Sequence, residues 1–168
     1  MGIDIFQIDQ WHDFFLMIGG GAAALAGLVF VAMSINLAMI THDATHKNRA
    51  IGTLTGFTAI FILCGLALMG NQNHISIGIE WLLVAIPATY IYVRGYMRAR
   101  RMSGTPVSVS RTVGGTALYG VQILGSLLLM AGYIIGLYLA AIAMVVSFAS
   151  LISGAWLLII GIHQKRGN

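Results

Sequence analysis

Charge is what this chain has least of. Only 8% of its 168 residues are charged, nine Lys and Arg against five Asp and Glu, while 58% are hydrophobic. About a quarter of the residues in a soluble domain are charged. So few charges cannot cover a folded domain in water, and this excludes an ordinary soluble protein.

Cysteine and recognisable catalytic motifs are also scarce. The one cysteine, Cys64, lies inside an apolar block, so no disulfide forms within one chain and cysteine usage does not indicate a compartment. The sequence contains no phosphate-binding loop, dinucleotide fingerprint or nucleophile elbow. We therefore predict a protein that is not an enzyme and that needs no cofactor.

The few basic residues are grouped in a way that indicates a membrane protein. They occupy the gap after the first apolar block, the region after the third block and the C-terminus: Lys47, Arg49, Arg94, Arg98, Arg100, Arg101, Arg111, Lys165 and Arg166. All nine can lie on the cytoplasmic side of a bilayer, as the positive-inside rule requires. The net charge of +4 is then directed at lipid headgroups, and no nucleic-acid partner is predicted.

The apolar blocks have the length of membrane-spanning helices, which need about 20 residues each. The stretch Thr112–Ile162 has 51 residues without a charged side chain. One helix of that length would measure roughly 77 Å against a hydrocarbon core of ~30 Å, so we predict a break near Gly136–Leu139. The predicted spans are 14–41, 50–70, 75–97, 113–135 and 139–162.

These spans predict one all-α domain over residues 1–168, a polytopic transmembrane bundle of five helices. Five crossings place the N-terminus outside and the basic C-terminus in the cytoplasm. Apolar and acidic residues alternate in the N-terminal segment. We interpret Ile3–Trp11 as a short interfacial segment anchored by Trp11. The alternative is a frayed polar tail.

Small residues recur at four-residue spacing in several spans. They include Gly19, Ala23 and Gly27; Gly52 and Gly56; Gly132, Gly136 and Ala140; and Ser150 and Gly154. Small residues let helix backbones approach closely in lipid. The pattern predicts tight packing, either within one chain or in a homo-oligomer, although glycine is in any case commoner in membrane helices.

Glu80 is the one Asp, Glu, Lys or Arg that lies well inside an apolar block. Intramembrane carboxylates are costly and are candidates for function. Counted from Ile75, Glu80 lies roughly 7.5 Å deep. We consider two roles, ion or proton binding and a structural hydrogen bond near the interface, with His74 or His12 as the expected partner.

Two uncharged amides complete the set of ion- or ligand-binding candidates, which is Glu80, Asn36, Gln122 and His74. We expect Asn36 and Gln122 in the cytoplasmic halves of their spans, as pore groups or as packing contacts between helices. Gln122 lies about ten residues into its predicted span.

Arg94, Arg98 and Arg101 fall at i, i+4 and i+7 and share one helix face. They are the candidates for binding anionic lipid headgroups on the cytoplasmic side. The alternative is that these arginines only set the orientation of the helix and extend their side chains to the membrane surface, without a specific lipid site.

The segment His42–His46 has the spacing of a zinc-binding H-E-x-x-H helix with Asp in place of Glu. No complete ligand set accompanies it. We therefore interpret it as a solvated loop and predict no metal site, keeping a membrane metalloenzyme only as a remote alternative.

The run Ala24–Leu37, which ends in Ser34-Ile35-Asn36-Leu37, resembles a group of small bacterial integral membrane proteins that have no assigned activity. The resemblance covers about a quarter of the chain. It implies a multi-pass protein of the bacterial inner membrane and transfers no functional residue.

Two functions are compatible with these features. The first is a homo-oligomeric channel or transport protein with Glu80 at its outer mouth. The alternative is a non-catalytic accessory or structural subunit of a larger membrane complex. The expected partners are the lipid bilayer and either further copies of the chain or another membrane protein.

Overall fold

The computed structural model describes the backbone of residues 8–35, 44–70, 72–103 and 109–166, and the side chains of residues 10–35, 47, 50–70, 72–95, 97 and 113–156. A 3-10 turn, Ile8–Trp11, precedes five α-helices: α1 (His12–Ile35), α2 (Ala44–Ala67), α3 (His74–Ser103), α4 (Val109–Met130) and α5 (Ile135–Arg166). The described backbone contains no strand, and the predicted all-α class is confirmed.

Each of the five helices is long and apolar enough to cross a membrane. Large apolar side chains such as Leu28, Leu83 and Val113 are more than 60% exposed. A contiguous apolar surface of this kind is stable against lipid and not against water. The chain is a small multi-pass integral membrane protein, and which end faces the cytoplasm stays a prediction.

Helices α2 and α5 form the centre of the bundle. Helix α2 packs against α1, α3 and α5, while α5 packs against α4, α2 and α1. The apolar span of α2 is 50% buried, more than that of any other described helix. The largest fully buried side chains that fill the interior are Phe15, Phe57, Ile77, Trp81, Leu129, Leu137 and Met144.

Glycines bring several helix pairs into close contact. A Cβ on Gly19 of α1 would lie 2.8 Å from the Cβ of Cys64 in α2. A Cβ on Gly125 of α4 would lie 2.8 Å from the carbonyl oxygen of Gly136 in α5. Real Cβ atoms do not approach other atoms so closely, so these positions need glycine. The predicted tight packing is therefore present within one chain.

The turn between α4 and α5, residues 131–134, lies five residues before the predicted break. Helix α4 ends at Met130, and Gly132 adopts a left-handed φ of 85°. The Tyr133 amide donates to the Leu128 carbonyl (2.9 Å) and the Gly132 amide to the Leu129 carbonyl (3.0 Å). These are the two hydrogen bonds of a Schellman motif. The predicted break at Gly136–Leu139 was wrong. The chain reverses at Gly132, whereas Gly136 lies within α5 and contacts α4.

Helix α3 begins with a side-chain cap and contains a proline. The Ser76 amide donates to Asn73 Oδ1 at 2.8 Å, which is the N-cap arrangement. Pro87 lies inside the helix on an exposed face. Because proline has no amide hydrogen, the carbonyl of Leu83 lacks its usual helical donor.

Aromatic contacts attach the 3-10 turn to the N-terminal ends of α1 and α5. The Trp11 ring packs edge-on against Tyr138 of α5, with centroids 4.9 Å apart, and against Phe14 at 5.6 Å. Trp11 is therefore attached to the bundle itself. Residues 1–7 lie outside the described part of the chain, so the interfacial interpretation of Ile3–Trp11 stays a prediction.

Candidate functional site

Glu80, the carboxylate predicted to lie within the membrane, forms a hydrogen bond with Gln72. Gln72 Nε2 donates to Glu80 Oε2 at 2.7 Å, and both side chains are half-buried. Glu80 lies six residues after His74, the first residue of α3, and so about 9 Å along the helix. The connection that follows α2 therefore folds back over the carboxylate.

The other polar atom of the Gln72 amide has no partner among the described residues. Its Oε1 is buried and accepts no hydrogen bond from them. A buried acceptor without a donor costs free energy, about 1–3 kcal/mol in proteins. This oxygen belongs to the same amide group that contacts Glu80, so it lies close to the carboxylate.

Trp81, the neighbour of Glu80, fixes α3 against the end of α2. Its indole is fully buried and donates from Nε1 to the Leu63 carbonyl at 3.0 Å. Leu63 lies near the C-terminal end of α2. The contact holds residue 80 level with the carbonyl end of α2, where the helix dipole is negative.

One of the two predicted histidine partners of Glu80 is placed differently. His12 lies 3.4 Å from Asp13 on an exposed surface, an ion pair only when the imidazole is protonated. His74 is half-buried at the start of α3, and its pairing with Glu80 stays a prediction. Within the described side chains, no three His, Cys, Asp or Glu residues come close enough together to hold a metal ion.

Gln122 lies inside the protomer, near the middle of the span Val113–Met130. Its side chain is only 5% exposed, so it does not lie on an outer surface of the chain. Its Nε2 is buried and has no hydrogen-bond partner in the described part of the chain. One turn later the fully buried Ser126 donates to the Gln122 carbonyl at 2.9 Å. The Gln122 amide is thus a polar group in an apolar interior.

The register of α3 against α4 shows what surrounds that amide. A Cβ on Gly78 would lie 2.9 Å from the Ser126 carbonyl, and one on Gly115 would overlap the hydroxyl of Tyr92. This antiparallel register places Gln122 between the levels of Leu82 and Ala85 of α3. Neither of these apolar side chains offers the amide a hydrogen bond.

Of the three arginines predicted to bind lipid headgroups, the structure describes the side chain of Arg94. Arg94 is exposed and donates from its guanidinium to the Tyr90 hydroxyl at 3.0 Å, with the cation 5.7 Å from the ring centroid. The side chains of Arg98 and Arg101 lie outside the described residues. Headgroup binding by Arg94, Arg98 and Arg101 stays a prediction.

Two other predicted sites also lie wholly or partly outside the described residues. Asn36 follows the last described residue of α1, and its pore or packing role stays a prediction. The loop interpretation of His42–His46 was wrong for its last three residues, because Ala44–His46 form the first turn of α2. His42 and Asp43 lie outside the described residues.

Four small residues of α1 lie together on the face that is turned away from the bundle. Gly20, Ala23, Ala24 and Gly27 are all exposed, directly opposite the buried face that contains Phe15 and Ala22. No atom lies within 4 Å of a Cβ built on Gly20 or Gly27. Packing among the described parts of one chain therefore does not require glycine at either position.

The partner of Glu80 was not identified from the sequence. Gln72 lies in a connection eight residues before Glu80, and no helical period relates the two. The nearest available signal was composition, since Gln72 belongs to the polar connection Asn71–His74. A polar connection next to a lone carboxylate is a region in which to search for its partner.

Comparison with protein families, with curated proteins and with solved structures gives no match to this chain. The resemblance of Ala24–Leu37 to small bacterial membrane proteins stays a prediction, as does location in a bacterial inner membrane.

Proposed function

We propose that this protein is a non-catalytic subunit of a membrane assembly, in which copies of the chain contact one another through the outer face of α1. The observation that carries the proposal is the exposed group of Gly20, Ala23, Ala24 and Gly27. Neighbouring members of this group along one helix face are separated by three or four residues, so they form one patch.

Lipid gives a physical reason to use this patch for contact. Apolar side chains gain nothing by leaving lipid for another apolar surface, so helix association depends on close backbone approach and on van der Waals contact. Larger exposed side chains, including Leu16 and Val31, lie along the axis on either side of the small residues. The resulting shallow depression is complementary to a second helix of the same kind.

The distribution of polar side chains favours a structural subunit over a channel. Gln122, a predicted pore group, is enclosed within one chain. Several hydroxyl groups described within the spans donate to the chain's own backbone, as in the bonds from Ser126 to Gln122 and from Thr89 to Ala85. An aqueous path between protomers needs polar groups facing outward over the whole span.

A channel or transport protein is the second candidate, and Glu80 is the observation that favours it. The carboxylate is half-buried at the predicted outer end of the bundle, and repeated copies would form a ring that attracts cations. Cation flux into liposomes that is abolished by Glu80→Gln would support this function. Flux that is absent, or unchanged in the variant, would remove Glu80 from it.

The assembly is tested with the double variant Gly20→Leu/Gly27→Leu. Neither leucine meets a described atom of its own chain at Cβ, so the protomer should fold, while a partner helix is kept at a distance. We expect at least about tenfold weaker association, or ~1.4 kcal/mol, measured as the mass of the protein in mild detergent and as energy transfer between labelled copies in liposomes.

The matched control is Gly65→Leu. Gly65 is an exposed glycine on α2, and a Cβ added to it would likewise have no atom within 4 Å, but its neighbours Phe61 and Met69 are large and exposed. This variant should associate as the unaltered protein does. A wild-type chain that is monomeric in liposomes, or a double variant that assembles normally, would contradict the proposal.

A further inference from the structure

The carboxylate of Glu80 has no permanent cation paired with it among the described side chains. No Lys or Arg of that part of the chain forms an ion pair with it, and the sequence contains neither residue between Arg49 and Arg94. Along α3, Arg94 lies fourteen residues further on, about 21 Å away. A half-buried carboxylate at membrane depth is costly unless a positive charge compensates it.

Another oxygen lies close to the carboxylate. Gln72 Oε1 is buried without a donor, on the same amide whose Nε2 lies 2.7 Å from Glu80 Oε2. A half-turn of that amide about its last side-chain bond exchanges the nitrogen for the oxygen. It would then present a neutral oxygen beside a charged one, which is the ligand type that hard cations prefer.

The end of α2 contributes a further source of negative potential. Trp81 holds this level of α3 against the Leu63 carbonyl, and the carbonyl end of a helix carries roughly half a negative charge. At the start of α3, Asn73 Oδ1 accepts a hydrogen bond from the Ser76 amide, so one of the first amides of α3 has an acceptor. The Glu80 carboxylate and the carbonyl end of α2 are together the negative groups that favour a cation here.

We propose that Glu80 and Gln72 bind a hard monovalent cation of the sodium class at the adjoining ends of α2 and α3. On binding, the Gln72 amide turns its oxygen towards the ion. The hydrogen bond from Nε2 to Glu80 is broken, and contacts of the ion with Oε1 and with the carboxylate replace it. One carboxylate balances one positive charge, whereas calcium sites combine six to eight oxygens with several carboxylates. The site lies within one chain and does not depend on assembly through α1.

The test uses the full-length protein in detergent or nanodiscs, titrated with NaCl while choline chloride keeps the ionic strength constant. The fully buried Trp81 indole, next to Glu80, is the fluorescence reporter, and the melting temperature is a second readout. We expect a saturable fluorescence change and a rise in melting temperature with sodium, and none with choline.

Two variants test the ligands. Glu80→Gln keeps an acceptor for the Gln72 amide but removes the charge, and should weaken sodium binding by more than about tenfold, within the range found when groups that support a metal site are removed. Gln72→Leu should weaken it to a smaller extent. Asp13→Asn is the matched control, because it removes a fully exposed carboxylate at the same end of the bundle, and should titrate normally.

Three results would overturn the proposal. One is a wild-type protein without a saturable sodium response. Another is Glu80→Gln binding sodium as tightly as the unaltered chain. The third is saturation by calcium with no response to sodium. Repeating the titration with Gly20→Leu/Gly27→Leu distinguishes the two proposals, because sodium binding should persist in that variant whether or not assembly is lost.

Discussion

The glycines at the α4–α5 contact and the glycines on the outer face of α1 have opposite surroundings. Cβ atoms on Gly125 and Gly136 would enter the backbone of the neighbouring helix, whereas Cβ atoms on Gly20 and Gly27 would meet nothing. Packing within the chain requires glycine at the α4–α5 contact. No described contact within the chain requires it on the outer face of α1. Glycine content alone therefore does not distinguish internal packing from contact between chains.

The largest expected effect comes from Gly136→Ala. The added methyl group would overlap the Gly125 carbonyl oxygen, and backbone cannot rotate away as a side chain can. Overpacking of this kind costs about 1–3 kcal/mol. We expect a lower melting temperature and a reduced free energy of unfolding in mild detergent. An unchanged stability would show that α4 and α5 are free to separate.

Gly20→Ala should increase stability, in contrast to Gly136→Ala. Its Cβ has open space, and alanine is favoured over glycine inside a helix by about 1 kcal/mol. The protein should become more stable by up to that amount when it is measured at detergent concentrations that keep it monomeric. A loss of stability there would mean that the outer face of α1 is covered by another part of the same chain.

Gly56→Ala should have the smallest effect. The new methyl group would approach the side-chain end of Leu151 in α5, at 2.7 Å from one Cδ atom. A leucine can change rotamer, at a cost of order 0.5–1.5 kcal/mol, which roughly offsets the gain in helix propensity. We expect stability to change by less than about 0.5 kcal/mol in chemical denaturation. A loss as large as that for Gly136→Ala would place Leu151 in a rigid contact.

The number and type of the helices could be predicted because lipid leaves few alternatives. A chain with no charge over 51 residues must form helices that satisfy its backbone, and because about 20 residues cross the bilayer, such a run makes two helices. The exact turn was not predictable from glycine alone. Gly132 and Gly136 both interrupt the same apolar run, and only packing reveals that one reverses the chain while the other contacts Gly125.

Which side of α1 each small residue faces was only partly predictable from the sequence. Gly19, Ala23 and Gly27 are spaced by four residues, and each such step advances about 40° around a helix of roughly 3.6 residues per turn. Gly19 therefore faces Cys64 in the interior, while Gly27 faces outward. The Glu80–Gln72 contact was unpredictable for a different reason, since it depends on how a connection folds back over α3.

The Schellman turn after α4 also constrains how the chain enters the bilayer. Only residues 131–134 join the two helices, and neither they nor the flanking turns contain a charged side chain. With so short a connection, one helix cannot remain in water while the other inserts into the bilayer. We expect the last two spans to leave the insertion machinery together as a helical hairpin, with the Gly125–Gly136 contact formed before they meet the rest of the bundle.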